Sequence, residues 1–316
     1  GVNPDYAVGY SYLWNLGVQR QIGRGYLLNL EYNGSKGSQL DQLLAPNRTP
    51  TGLLNPNLAP FLYDTTGGNS IYHGGTVIMS RRLSQSVSFR ARYTFSKMLD
   101  DASQIGGSGG LNGAIAQNPQ DLAAERALSN QNVTHRFDAE YEWQLPYGLN
   151  HHWGDHASLW SSMLGDWQLT GSFEANSGQP LTPLVNNVEA NAQGLQSLGV
   201  TAPLRANLTG TAIALAQPTL TQFFNVAAFA APASGTYGDA GRNIITGPGQ
   251  VLLNLDLSKN FRMGEFRTLE IRFDGSNVLN HPNWAGVDTN FNSSTFGAIS
   301  SFGSPRQITF SSRFRF

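Results

Sequence analysis

Four side chains able to bind a metal lie close together in the middle of the chain: His151, His152, Asp155 and His156. Imidazole and carboxylate groups bind zinc, but structural zinc motifs keep short, regular ligand spacings and commonly include cysteine. This chain has no cysteine, and the spacing of the four side chains matches no such motif. Solvated turn residues explain the group better, so we predict no metal site.

Motifs for other chemistry are equally weak. The glycine tract at residues 106–110 is not followed by Lys and Ser or Thr, as a phosphate-binding loop requires. No Gly-x-Ser-x-Gly motif occurs in the strand-to-helix context that exposes a catalytic serine. His73, His135 and His281 stand singly near the ends of predicted strands, which is typical of structural histidines. We therefore predict no catalytic residue, no cofactor and no enzymatic activity.

Another set of charged side chains alternates with apolar ones along extended segments. The set is Arg90, Arg92, Arg136, Asp138, Glu140, Glu270, Arg272 and Asp274. Because successive side chains of a strand point to opposite faces, these charges would share the face opposite the apolar residues. On the inner wall of a barrel they would face the lumen and could contact a plug or line a solute path. The alternative, which we favour, is that they pair across strands and set the register.

Nine segments carry the period-two alternation of strands. They are about residues 10–22, 28–33, 71–83, 87–96, 136–145, 167–174, 251–258, 269–274 and 305–316. The fourth is the clearest, because Val87, Phe89, Ala91, Tyr93 and Phe95 alternate with polar residues. The pattern predicts an all-β, antiparallel protein whose strands each have one apolar and one polar face.

The connections between these segments alternate between short and long. Turns after the first, third and seventh segments take a few residues, and residues 146–165 form an intermediate connection. The long loops are about residues 37–69, 100–132, 177–250 and 280–304, the second with a short helix expected near 120–128. Membrane barrels show this asymmetry, with short periplasmic turns and long extracellular loops. A soluble sheet with one solvated face is the alternative, and the loop asymmetry disfavours it.

Composition narrows the class of protein further. Of the 316 residues only 13% are charged, against about 25% in typical soluble domains. No apolar run approaches the roughly 18–20 residues of a membrane helix, so a membrane-spanning role requires strands closed into a barrel. The net charge of −1 gives no sign of a nucleic-acid partner. We expect contact with outer-membrane lipid, with an interfacial aromatic girdle formed by Trp14, Tyr93, Tyr141, Trp143 and Trp167.

The two ends of the chain favour one part of a larger barrel. The chain begins at Gly1 without a signal peptide, and an antiparallel ring closes most simply with an even number of strands. We therefore expect residues 1–316 to be the carboxy-terminal part of a transmembrane β-barrel. The last strand carries Phe310, Phe314 and Phe316, which we interpret as a signal for barrel assembly or, alternatively, as interfacial anchors.

Six segments, in order along nearly the whole chain, carry a recognisable pattern. They are YLWNLGVQRQIGRGYLLNLEYNGSKGSQL (12–40), YTFSKMLDDAS (93–103), NPQDLAAERALSNQNVTHRFDAEYEWQLP (118–146), GDWQLTGSFEANSGQPLTP (165–183), FFNVAAFAAPASGTYGDAGRN (223–243) and NVLNHPNW (277–284). Together they resemble the Oar-like TonB-dependent receptors of the bacterial outer membrane. Each motif alone is modest, whereas the ordered set is specific. The sequence departs from the family where Asn130, Asn132 and Thr134 stand in place of charged residues.

The resemblance implies a 22-stranded barrel, of which this chain would supply about the last nine strands, with the plug and amino-terminal domains absent. It implies energy-coupled uptake of a substrate that these residues do not identify. The TonB complex would act through the missing amino-terminal parts, and the barrel-assembly machinery would read the last strand. The alternative is a structural or adhesive surface barrel that moves no solute.

Overall fold

The computed structural model describes residues 1–23, 25–50, 52–84, 86–102, 115–148, 153–154, 158–185, 204–264 and 266–316. In this part of the chain, nine long strands lie side by side in one antiparallel sheet. They are β1 (Tyr10–Ile22), β2 (Tyr26–Leu44), β3 (Tyr63–Ser84), β4 (Val87–Asp100), β5 (His135–Gln144), β6 (Gln168–Asn176), β7 (Gln250–Arg262), β8 (Thr268–Ser276) and β9 (Gln307–Arg315). Each pairs with its neighbours in this order, so the sheet is an up-and-down meander with β1 and β9 at its edges. The prediction of an all-β antiparallel fold is confirmed.

The register of the strands keeps side chains of one kind on one face. Between β4 and β5, Phe89 lies opposite Tyr141, and Arg90 lies opposite Glu140. Between β5 and β6, Tyr141 lies in turn opposite Gly171. Directly opposed residues of an antiparallel pair share a face, so an apolar face and a polar face each run continuously across the sheet.

The largest departures from the predicted strand bounds are in β2 and β3. β2 continues to Leu44 and β3 begins at Tyr63, so the predicted loop at 37–69 is wrong at both ends. Gln39 has a φ of 54° and lies within a register shift between the two strands, as at a β-bulge. The segment has no regular apolar alternation, yet the strands still pair, because ladder hydrogen bonds join backbone groups whatever the side chains.

The long connections contain short elements of their own. Pairs of short strands join Pro180–Leu181 to Ile245–Thr246, Leu184–Val185 to Leu204–Arg205, Asn207–Leu208 to Phe229–Ala230, and Trp284–Val287 to Ile299–Phe302. The helical turns in the described residues are Leu122–Glu125, Leu159–Leu164 (helix α1) and Val226–Ala228. The helix expected near 120–128 is therefore one 3-10 turn, and the strand Ala127–Leu128 that follows it pairs with β4.

A hydrophobic core lies among these connections rather than on the sheet. Phe224, Phe229 and Ile245 are almost fully buried in it, and Phe296 packs edge-on against Phe224 with ring centroids 5.2 Å apart. This unit is called the loop cap below. It consists of residues 117–128, 180–185, 204–246 and 284–302.

The apolar face of the sheet, by contrast, is extensively exposed. Every residue of β1 is exposed, and Leu16 and Ile308, near opposite edges of the sheet, are each 69% exposed. An apolar wall of this extent indicates a surface that lipid or protein covers. No helix in the described residues is long and apolar enough to cross a membrane.

Candidate functional site: the polar face and the loop cap

The polar face of the sheet gathers all eight charged residues singled out from the sequence. On β4 and β5, Arg90 lies opposite Glu140 and Arg92 lies opposite Asp138. The other four, which the continuous register across β5 to β9 puts on the same face, are Arg136, Glu270, Arg272 and Asp274. Their position on the inside of a barrel stays a prediction.

The charges on β4 and β5 are joined by ion pairs. Arg92 Nε lies 3.2 Å from one carboxylate oxygen of Asp138, and Arg136 Nε lies 3.1 Å from the other. Asp138 therefore bridges two arginines, one on the neighbouring strand and one on its own. The Arg92–Asp138 contact crosses between strands, whereas the Arg136–Asp138 contact lies within one strand.

A second charged group lies on β7, β8 and β9. Arg272 Nε donates to Asp274 at 2.7 Å, and the same guanidinium pairs with Asp256 across the strand interface. Arg315 Nη2 lies 3.5 Å from Glu270. Sequence reasoning missed Asp256 and Arg315 as members of this group, although the alternation already puts both on the polar face.

Two clefts open on the polar face beside the first group. One, of about 620 Å³, is lined in part by Arg90, Glu140 and Glu142. The other, of about 520 Å³, is lined by Glu31, Tyr72, Thr94, Asn132 and other residues, with Arg90, Arg92 and Arg136 among them. Guanidinium groups beside amides and hydroxyls can hold water or polar groups of a solute through charge-assisted hydrogen bonds.

Hydrogen-bonded aromatic residues lie on the apolar face at about the level where β5 begins. Tyr93 Oη lies 2.8 Å from His135 Nδ1, and Tyr32 Oη lies 2.7 Å from His73 Nδ1. Trp14 Nε1 donates to Tyr32 Oη at 3.5 Å. Rings with an apolar body and a hydrogen-bonded tip suit a membrane interface. The other girdle candidates, which lie toward the short-turn end of the same face, are Tyr141, Trp143 and Trp167.

A buried ionic network holds the loop cap together. Arg205 Nη1 donates to both carboxylate oxygens of Glu125, at 2.8 and 2.9 Å, and Arg205 Nε donates to the carbonyl of Ala240 at 2.8 Å. Gln117 completes the contacts, because its backbone N–H donates to Glu125 at 2.9 Å while its side-chain oxygen accepts from the backbone N–H of Arg205. Buried charges are tolerated only when paired and hydrogen-bonded in this way.

The network also joins the cap to the end of β4. Arg242 Nη2 donates to the backbone carbonyl of Asp100 at 2.7 Å and also to the Asp100 carboxylate. Arg242 Nε donates to the carbonyl of Glu125 at 3.1 Å. Beside it, Asn243 Nδ2 donates to the carbonyl of Leu128 at 2.7 Å. The cap is therefore fixed to the sheet by specific hydrogen bonds.

Burial shifts the pKa of two titratable groups in this part of the molecule. The hydroxyl of Tyr237 donates to the carbonyl of Arg48 at 3.4 Å. Burial lowers the pKa of the Arg48 guanidinium, against the opposing influence of Tyr237 and Glu125. Burial raises the pKa of the Tyr237 hydroxyl, which the positive charge of Arg48 opposes.

Sequence reasoning missed the buried network. Glu125 lies in the recognised segment 118–146 and Arg242 in the segment 223–243, but the motifs did not show that the two residues meet. The one sequence feature that could have indicated these residues is their charge, because a loop Arg or Glu is unusual in a chain with only 13% charged residues.

The histidine cluster at 151–156 lies outside the described residues, apart from Trp153 and Gly154, and so does the glycine tract at 106–110. Among the described residues, no group of three or more His, Cys, Asp or Glu side chains is placed to hold a metal ion. The prediction that the histidine cluster binds no metal stays a prediction.

An antiparallel meander with one apolar wall, one charged wall and alternating short and long connections defines the wall of a membrane β-barrel. The chain belongs to the family described as outer membrane beta barrel domain, whose model matches residues 1–309. The protein is therefore a bacterial outer-membrane protein, and the predicted location is confirmed.

Two solved structures are similar in fold. The outer membrane transporter YddB from Escherichia coli matches with a TM-score of 0.50 and 10% identity, over 99% of this chain and 33% of YddB. A chain in the FpvAI–pyocin S2 complex matches with a TM-score of 0.44 and 11% identity, over 98% of this chain and 27% of that one. This chain thus spans at most about a third of either. Comparison with curated proteins finds no match.

Proposed function

We propose that this chain forms the carboxy-terminal wall of an energy-coupled outer-membrane transporter of the TonB-dependent receptor type, with no enzymatic activity. The observation that carries the proposal is the open sheet, in which β1 and β9 are edges and do not pair with each other in the described residues. Open edges do not occur in lipid, so a barrel containing these strands needs further strands. The similar transporter YddB, of which this chain spans only 33%, supports this.

The polar face supports a role in passing a polar solute. Its charges form ion pairs within and across strands and lie beside clefts of about 520 and 620 Å³. Charges remain hydrated in a wide lumen but are costly against lipid. We therefore propose that Arg90, Arg92, Arg136 and the other charged residues of this face line the lumen.

The loop cap favours the second candidate function, a surface barrel that binds a partner without transport. Its core and its buried Glu125–Arg205 pair give it a fixed shape. A rigid external surface can bind a partner with little loss of conformational entropy. The same rigidity is compatible with a transporter whose cap forms the fixed part of a substrate entrance.

One experiment separates the two candidates. The native reading frame upstream of Gly1 is sequenced, and the full-length protein is tested for binding to the periplasmic domain of TonB. Transport predicts an upstream plug domain, an energy-coupling segment and measurable binding that disappears when that segment is deleted. An upstream frame that completes the barrel without a plug, together with no binding, would overturn the transport proposal in favour of the surface-barrel one.

A further inference from the structure

Lys259 is an unusual residue on the apolar face of β7. The register puts it opposite Ile271, with Leu257 and Phe261 before and after it on the same face. Yet Lys259 is only 3% exposed, whereas Leu257, Phe261 and Ile271 around it are half-buried. A lysine on a lipid-facing wall is destabilising unless its ammonium group is shielded and hydrogen-bonded.

Helix α1 supplies that shield. Lys259 Nζ donates to the carbonyls of Ser162 at 2.5 Å and Met163 at 3.2 Å, and to the carbonyl of Gly165. Carbonyls at the end of a helix lack intrahelical partners, and they lie at the negative end of the helix dipole. An ammonium has three N–H donors, so three carbonyls satisfy it. The ring of Phe261 lies 4.7 Å from the ammonium and completes the shell.

The helix is closely fitted to its position. Ser158 and Ser161 form a reciprocal capping box at its start. At its end Trp167 Nε1 donates to the carbonyl of Met163 at 3.1 Å. The Trp167 ring in turn approaches Phe273 on the apolar wall, with centroids 6.3 Å apart. A Cβ added at Gly165 would meet the Ser161 carbonyl at 2.5 Å. These contacts fix α1 against the outside of the sheet.

The exposed side of α1 is apolar. Leu159, Trp160, Met163 and Leu164 are between 51% and 84% exposed, whereas the polar Ser161 is 5% exposed. These four positions recur at one helical turn and so lie together on one side. The helix belongs to the connection between β5 and β6, at the end of the sheet where the short turns lie. Its apolar side continues the apolar wall through Trp167.

We propose that α1 is an interfacial foot that lies in the periplasmic leaflet of the outer membrane, with its apolar side among phospholipid acyl chains near the headgroups. The short-turn end of an outer-membrane barrel is its periplasmic end, and a helix with exposed Trp, Leu and Met matches the pattern of interfacial helices. Lys259 is the residue that positions it. The occupant of this surface is lipid, because the surface is continuous with the apolar wall of an outer-membrane protein.

Site-directed labelling tests the location. The chain has no cysteine, so a Met163→Cys variant of the full-length protein takes a single spin label. The protein is reconstituted in phospholipid vesicles, and accessibility to oxygen is compared with accessibility to a water-soluble nickel complex. A matched label at Leu220→Cys, an exposed apolar position of the loop cap, gives the aqueous reference. We expect oxygen to dominate at position 163 and nickel to dominate at position 220.

Two other results at position 163 would overturn the proposal. A label as accessible to nickel as at position 220 means that the helix lies in periplasmic water. Protection from nickel that appears only at high protein concentration, and also in detergent, means that a second copy covers the helix. The comparison of labels at positions 163 and 220 is made in protein that keeps Lys259. Its result therefore remains valid even if a Lys259 variant does not assemble.

The role of Lys259 is tested with a second substitution in the labelled protein. Lys259→Met should release the helix, so the label at position 163 gains mobility while the barrel remains inserted. Lys97→Met is the matched control, because Lys97 also lies on the apolar face, opposite His73. Unlike Lys259, Lys97 is exposed, and it lies near the end of β4 that leads into a long connection. Equal label mobility in the two variants would contradict the positioning role of Lys259.

Discussion

Glu125 and Arg205 lie 80 positions apart in the sequence and meet as a two-point ion pair inside the loop cap. Their side chains are 3% and 6% exposed. Arg242 lies beside them, with its Nε 3.9 Å from the Glu125 carboxylate. The Glu125 carboxylate thus lies beside two buried guanidinium groups, of which Arg242 also pairs with the Asp100 carboxylate.

Replacing Glu125 with Ala should therefore destabilise the cap strongly. Breaking a buried ion pair by removing one partner costs about 3–5 kcal/mol, because the remaining charge is left uncompensated. We expect faster amide hydrogen exchange across residues 204–246, with exchange in β5 and β6 unchanged. Mass spectrometry of the exchanged protein in detergent measures both.

The control for this prediction is the exposed pair of Arg126 and Asp101, 3.0 Å apart, in which Arg126 is 38% exposed. Exposed pairs contribute roughly 0–1 kcal/mol, so Arg126→Ala should leave exchange in the cap nearly unchanged. Equal effects of the two substitutions would show that the buried network does not hold the cap.

The two faces of the sheet predict opposite responses to an added charge. Ala139 lies in the middle of β5 on the apolar face, opposite Ala91 and Phe173. Ala139→Arg should destabilise the barrel by about 2–4 kcal/mol if this face meets lipid near the bilayer centre. Equilibrium unfolding in phospholipid vesicles measures the loss.

Thr170→Arg is the matched control for that substitution. Thr170 lies on the polar face between Glu142 and Asp256, so an added guanidinium gains opposite charges across both strands. Its effect should be small. A loss as large as that of Ala139→Arg would show that the lipid-facing side has been assigned incorrectly.

The strands and their faces could be predicted from the sequence because apolar and polar residues alternate along each strand. In β4 every second residue from Val87 to Phe95 is apolar, and that alternation is enough to place the strand. The extension of β2 to Leu44 gave no such signal, since its pairing with β3 beyond Gly34 depends on backbone hydrogen bonds. Strand ends are therefore the part of the sheet that alternation predicts least well.

The cap could not be predicted for a different reason. Its strands are only two to four residues long, too short for a sustained periodic pattern. Its ionic contacts join distant positions, and Arg242 reaches Asp100 across 142 positions of sequence. Such contacts form only when the intervening chain folds. The sequence around either residue alone therefore shows only an isolated charge. The charged residues of the polar face could be found because strand periodicity places them on one face. The charged residues of the cap lie in no such periodic segment.

The orientation of the barrel predicts which connections a protease can reach on intact cells. A protease site inserted between Asn55 and Pro56, in the exposed connection from β2 to β3, should be cleaved from outside. A site inserted after Gly264, in the tight turn from β7 to β8, should be cleaved only after the outer membrane is breached. Immunoblots of whole and permeabilised cells measure both. The reverse pattern would invert the proposed orientation.

Asp288 predicts a pH dependence of one hairpin of the cap. Its carboxylate accepts from the Asn290 backbone N–H at 2.9 Å and the Thr295 hydroxyl at 2.7 Å. Burial alone would raise the pKa of Asp288, but hydrogen bonds from Ser293, Thr295 and Asn290 outweigh it, so the pKa lies below its ordinary value. The stabilisation is therefore present above the unfolded pKa, about 4, and is lost as pH falls through the folded pKa.

Hydrogen exchange of residues 288–297 should accordingly rise, beyond its intrinsic pH dependence, only when the pH falls below about 4. Asp288→Asn removes the carboxylate and should raise exchange already at neutral pH, with no further rise from that carboxylate in acid. An acid response that the substitution leaves unchanged would assign the effect to another group.

The last prediction separates the two interpretations of the terminal aromatic residues. Phe316 follows β9 and is 95% exposed, so its ring adds little to the folded wall, although it stacks near Phe314 at 6.1 Å. Phe310 packs against Phe273 of β8, with centroids 5.1 Å apart. An aromatic pair of this kind stabilises by about 0.5–1.5 kcal/mol beyond the area that it buries.

If the barrel-assembly machinery reads the terminal strand, deleting Phe316 from the full-length protein should slow assembly in cells and leave the stability of the folded barrel nearly unchanged. Phe310→Ala should lower stability, because it removes a ring that packs against the neighbouring strand. Pulse-labelled assembly, followed by heat-modifiable migration on gels, measures the rate, and unfolding in lipid measures stability. A Phe316 deletion that assembles at the normal rate but unfolds more easily would identify the ring as an interfacial anchor, because a ring read only during assembly has no effect on a barrel that has already folded.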